Sequence, residues 1–171
     1  YLGADNPKFA QRSAYSGFHL SMIYMGSIAV AYVAVPDLFV APFALKADPQ
    51  VFPEIYSMSV ILLRFVALYS LFDTLNIVFA SAIKGAGDTR FVMFTTSIFS
   101  LFVLILPTYL LIMVFEYGLM ASWIIATFYV SLIGIVFFMR FLNGKWKSMR
   151  VIETHPQVPR TGSVKWGRNV K

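Results

Sequence analysis

The chain has 171 residues, of which 58% are apolar and only 13% charged, and its mean hydropathy is +0.72. Soluble globular domains carry about 45–50% apolar and about 25% charged residues, so these figures exclude a disordered chain and speak against a soluble domain. The net charge is +6, but 8 of the 14 Lys and Arg residues lie at or after Arg140. The basic balance therefore belongs to a tail and not to a solvated face of the kind that binds nucleic acid. There is no cysteine, which excludes disulfides, thiol chemistry and Cys-ligated zinc. The chain starts at Tyr1 without a basic segment before its first apolar run, so no signal peptide is expected and a fragment of a longer protein is.

A bilayer core about 30 Å thick takes roughly 20 helical residues. Residues 13–36 form a run of 24 without charge, residues 91–115 one of 25 and residues 117–139 one of 23, while residues 65–83 are broken only by Asp73. These runs predict an all-α polytopic membrane protein with four transmembrane helices, at about 14–36, 54–84, 90–115 and 117–140. In the connector 37–52, an apolar stretch too short to span is expected to continue the first helix beyond a kink at Pro36. Pro53 and Glu54 suit the first turn of the second helix, and Gly85-Ala86-Gly87-Asp88 ends it. Pro107 reads as a packing kink in the third helix, and Glu116-Tyr117-Gly118 as a tight turn before the fourth. In the tail, residues 140–150 are basic and carry Trp146, which suits a juxtamembrane anchor beside anionic lipid. Residues 153–171 are rich in Pro, Gly and charge and are expected to be disordered.

Lys and Arg set the orientation. Lys8, Arg12, Lys84, Arg90 and the tail cations fall on one side, and Lys46 on the other. Both ends and the central loop are therefore expected to be cytoplasmic.

A carboxylate inside a span costs about 2.5–3.5 kcal/mol or more at the bilayer centre, so it points to function. Arg64 and Lys84 lie 20 residues apart, about 30 Å of helix, and mark the two interfaces. Asp73 lies between them at the midplane. At about 100° per residue, Tyr69 and Asn76 share its face, Ser70 flanks it and Ala80 continues it. Leu68, Leu71, Leu75 and Phe79 lie across the helix, an apolar face expected to meet lipid. A carboxylate with a phenol and an amide beside it suits a hard cation or a proton. The other reading is a structural Asp paired with a neighbouring helix. No nucleophile–base pair, phosphate loop or metal cluster is visible, so no enzyme and no cofactor is expected.

Two Gly-Ala loops, Leu2-Gly3-Ala4-Asp5-Asn6-Pro7 and Lys84-Gly85-Ala86-Gly87-Asp88-Thr89-Arg90, stand two helices apart. A basic stretch, Gly144-Lys145-Trp146-Lys147-Ser148-Met149-Arg150-Val151-Ile152, follows the last span. With these motifs the chain resembles the multidrug and toxic compound extrusion (MATE) family over residues 1–152. The resemblance implies the last four helices of a twelve-helix, two-lobed transporter, whose missing N-terminal helices are its partners. It also implies efflux of organic, often cationic, compounds by antiport against Na⁺ or H⁺, with membrane lipid around it and no nucleic acid partner. Asp73, Tyr69 and Asn76 take the positions of the coupling-ion site, although family members often carry Gln where Asn76 stands and Arg where Lys84 stands. Lys84, Gly85, Gly87, Asp88, Thr89 and Arg90 form the family's cytoplasmic loop. Two other readings are a related flippase for lipid-linked oligosaccharides and a non-transporting four-span subunit or anchor. The flippase would be expected to carry several basic residues in its spans.

Overall fold

The computed structural model describes residues 1–44, 52–114 and 118–149; the loop around Lys46, Glu116 and Tyr117 of the turn, and the tail from Arg150 onward lie outside the described residues. Among the described residues the regular structure is entirely helical. The helices are α1 (Pro7–Ala34), α2 (Pro36–Ala44), α3 (Phe52–Gly85), α4 (Thr89–Val114) and α5 (Leu119–Leu142), with short 3₁₀ turns at Leu2–Ala4 and Lys145–Ser148. All but α2 are long and apolar enough to cross a membrane.

The helix ends follow from local chemistry. Asn6 stands at the N-cap position of α1 without a side-chain cap hydrogen bond, and Pro7 opens the helix, where a missing N–H costs nothing. At the other end Val35 leaves the helical region, with φ −135° and ψ 59°, because the ring of Pro36 crowds the residue before it. Pro36 thus separates two helices, and the expectation of one helix bent at this point is corrected. The Tyr56 hydroxyl donates to the Asp37 carboxylate and ties α2 to the start of α3. At the end of α3 the Asp88 N–H reaches the Ile83 carbonyl at 3.1 Å and the Gly87 N–H the Lys84 carbonyl at 3.0 Å. Gly87 has φ 96°, the left-handed conformation this helix stop requires.

α4 runs through Pro107, which changes its winding: Leu106–Tyr109 is α-helical, and Ser100–Ile105 and Leu110–Val114 on either side are π-helical. Proline offers no N–H, and a turn widened by one residue re-pairs carbonyls around it.

α3 is the central helix, packed between α1 and α5. Phe79, 0% exposed, is the hub of an aromatic cluster at the Gly85 end of α3. Its ring lies 5.2 Å from Phe18 of α1 and 4.9 Å from both Phe138 and Phe141 of α5. The apolar side of α3 therefore meets protein as much as lipid: Phe79 and Leu75 pack into this cluster, and Leu68 and Leu71 line a groove shared with α1. The expectation of a lipid-facing side is corrected at Phe79, which is buried, whereas Leu68 is 49% exposed. Helix–helix contacts within a membrane are as apolar as lipid contacts, so hydropathy does not separate the two. Trp146 is corrected in the same way. It is 3% exposed, stacks on Phe141 at 4.8 Å, and donates Nε1–H to the Phe141 carbonyl at 2.7 Å. The positive φ of Gly144, 69°, turns the chain back so that this ring closes the cluster, while Lys145 and Lys147 stay exposed.

Candidate functional site

α3 carries the candidate site on one unbroken helix. Arg64 and Lys84 are both exposed, and Asp73 between them is half-buried. The Asn76 amide, one turn on, donates to Asp73 Oδ1 at 3.1 Å. The neighbouring hydroxyls are spent on their own helix: Ser70 donates to the Ala67 carbonyl at 3.0 Å and Thr74 to the Ser70 carbonyl at 2.9 Å. Among the described residues Asp73 Oδ2 receives no hydrogen bond. Along the same stripe, Ile77 is 53% exposed and Ser81 and Lys84 are exposed as well. Asp73 therefore sits at the edge of the side that α1 and α5 leave uncovered, because Ala80 on the same face is 6% exposed and Tyr69 lies beside Trp123 of α5.

Asp73 and Asn76 are thus brought together, whereas Tyr69 is not joined to them. The Tyr69 ring lies 6.4 Å from that of Trp123 on α5, and no hydrogen bond links its phenol to Asp73 among the described residues. Trp123 also lines an open cleft of about 590 Å³ with Phe39 and Phe43 of α2 and Phe52, Leu63 and Val66 of α3. Its walls are apolar and aromatic, as in sites for drug-sized organic molecules. Among the described residues no three His, Cys, Asp or Glu side chains cluster into a metal site. A cation at Asp73 would take the carboxylate, with its remaining oxygens from water or from groups facing the uncovered side.

The loop residues form a joint. Lys84, Thr89 and Arg90 are exposed, while Asp88 is buried. Arg140, near the end of α5, donates to Asp88 Oδ2 from Nε at 2.9 Å and from Nη2 at 2.6 Å, and its guanidinium lies 4.3 Å from the centre of the Phe91 ring. The two Gly-Ala loops share a shape. Asp5 with φ 54° precedes the cap Asn6 of α1, and Gly87 with φ 96° precedes the cap Asp88 of α4. Arg140 as the partner of Asp88, Trp123 beside Tyr69 and Gly134 on α5 escaped the sequence reading. Only Gly134 left a signal there, a lone glycine amid bulky apolar residues late in the last span.

The MatE family model matches residues 1–111, which is well over half of the 171 residues. The chain belongs to the MatE family. This MatE chain is 28% identical over 96 residues to the probable multidrug resistance protein NorM of Mesorhizobium japonicum, covering 56% of the chain and 20% of that protein. It is 30% identical over 97 residues to the multidrug resistance protein MdtK of Photorhabdus laumondii, covering 57% of the chain and 20% of that protein. Against the probable multidrug resistance protein NorM of Thermotoga maritima it is 24% identical over 163 residues, 95% of the chain and 33% of that protein. The MatE chain thus spans between a fifth and a third of the length of these relatives. No solved structure matches it.

Proposed function

We propose that the chain serves multidrug efflux as one part of a secondary antiporter, with Asp73 as the group that takes up the driving ion. The supporting observation is a half-buried carboxylate on α3, between the exposed Arg64 and Lys84, that holds a single amide donor at the edge of the side left uncovered by α1 and α5. Inward-moving Na⁺ or H⁺ occupies or protonates Asp73, and its different affinity in the two access states drives the change between them. An organic cation competes for the same negative charge, and its apolar body suits aromatic walls like those around Trp123. The helices that complete the length of the NorM and MdtK relatives supply the opposing wall. The bacterial relatives support a placement in the bacterial inner membrane, and the Lys and Arg distribution supports both described ends on the cytoplasmic side.

The test is Asp73→Asn in the full-length transporter, with efflux of a fluorescent organic cation followed under an imposed Na⁺ or H⁺ gradient. Ion-driven efflux is expected to disappear while the variant still inserts into the membrane. Efflux that keeps its ion dependence in this variant rejects the coupling role.

A further inference from the structure

We infer that Gly134 is a positioning residue for Asp73, through which α5 sets the geometry of the ion-accepting turn; the inference rests on the coupling role proposed above. Gly134 sits where the backbones of α5 and α3 meet. A Cβ built on it would lie 2.6 Å from the Phe72 carbonyl oxygen, 3.3 Å from the Asn76 nitrogen and 3.4 Å from Leu75 Cβ. Phe72 and Asn76 are four residues apart, so their carbonyl and N–H are partners of one helical hydrogen bond. That bond closes the turn carrying Asp73. Asn76, at the end of that turn, is also the residue whose side chain donates to Asp73.

α5 thus approaches α3 closely at the carbonyl and N–H of the turn that carries the Asp73 side chain and its donor. The contact is with backbone, so no rotamer change relieves it. An alanine at this position has to open the gap by roughly 0.7 Å to reach an ordinary C···O separation of about 3.3 Å. Other glycines of the membrane helices do not share this role: Gly17 and Gly26 of α1 have nothing within 4 Å of an added Cβ. The hydroxyls nearest along α5 do not substitute for the contact, since Thr127 donates to the Trp123 carbonyl and Ser131 to the Thr127 carbonyl.

The experiment uses the full-length transporter in membrane vesicles, with efflux of a fluorescent organic cation measured across a range of Na⁺ concentrations and of pH. Gly134→Ala is expected to shift the half-saturating ion concentration by roughly tenfold, as loss of an outer-shell support does at a metal site. The maximal efflux rate should change less. Asn76→Ala should reproduce the shift, the Gly134→Ala/Asn76→Ala pair should be no worse than Asn76→Ala alone, and Gly17→Ala should leave the ion dependence unchanged. An unaltered half-saturation in Gly134→Ala overturns the inference. If that variant fails to reach the membrane, the Asn76→Ala arm decides, and an unaltered ion dependence there overturns it equally. Asp73→Asn, run in parallel, separates the two levels. Loss of ion dependence there with none of the expected shifts rejects only the role of Gly134, whereas retained ion dependence rejects both readings.

Discussion

Asp88 and Arg140 meet although 52 positions separate them in the chain, and they do so in a largely buried setting, with side chains 10% and 19% exposed. Both donors of Arg140 converge on one carboxylate oxygen, and the guanidinium rests on Phe91, so charge, hydrogen bonding and stacking act together. Removing one partner of such a pair leaves a buried charge uncompensated, at a cost on the order of 3 kcal/mol. Arg140→Ala is therefore expected to lower the unfolding temperature of the purified protein in detergent by several degrees, and Arg140→Lys to recover only part of it. The Asp88→Ala/Arg140→Ala pair should be less destabilised than the sum of the singles, and strict additivity would refute the pairing. From the sequence Asp88 was legible as the residue after a helix-ending glycine, because such turns are local. Its partner was not, because a residue on the last turn of α5 gives no local sign of what it faces.

Among the elements, α4 shows how far local rules carry. Pro107 marked an irregularity correctly, but not its form, since a kink and a pair of widened turns both answer a missing N–H. Within α4 the Leu106 N–H reaches back to Leu101, and the Thr108 hydroxyl is buried without a partner among the described residues. Pro107→Ala should restore regular pairing and slow amide hydrogen exchange across residues 100–114, read by mass spectrometry on the purified protein. Exchange that stays as fast as in the parent would show that tertiary packing, not the proline, sets the winding. The break at Val35 was harder to place from sequence than the stop at Gly87. A proline that opens a helix and one that bends a helix share the same residue pattern.

Across the whole molecule, the Gly85 end of the bundle is held by one aromatic cluster. α1 contributes Tyr15 and Phe18, α3 Phe79, α5 Phe138 and Phe141, and the chain beyond α5 contributes Trp146. Toward the far end, among the described residues, grooves lie between α1 and α3 and between α2 and α3. Trp146→Ala removes a buried ring and the hydrogen bond to Phe141, a loss of about 3–5 kcal/mol by comparison with other buried aromatics. It should lower the unfolding temperature more than Trp123→Ala does, because Trp123 is only half-buried. Equal effects of the two would mean that the cluster does not hold the bundle.

Run lengths and punctuation were enough to read an all-helical membrane protein with four helices long and apolar enough to cross, and to single out the carboxylate within one of them. The bilayer is an external ruler, and helix ends are written in nearby Pro, Gly, Asn and Asp residues. The pairing of Asp73 with Asn76 was legible for the same reason, being one helical turn. Which side of α3 is covered, where Trp146 goes, what Asp88 binds and why position 134 is glycine came only from the packed helices. Side chains that face lipid and side chains that face another helix have the same hydropathy, so the pattern along one helix does not say which neighbour lies on which side. Those facts depend on distances between segments far apart in the chain, and only the packing of one helix on another sets them.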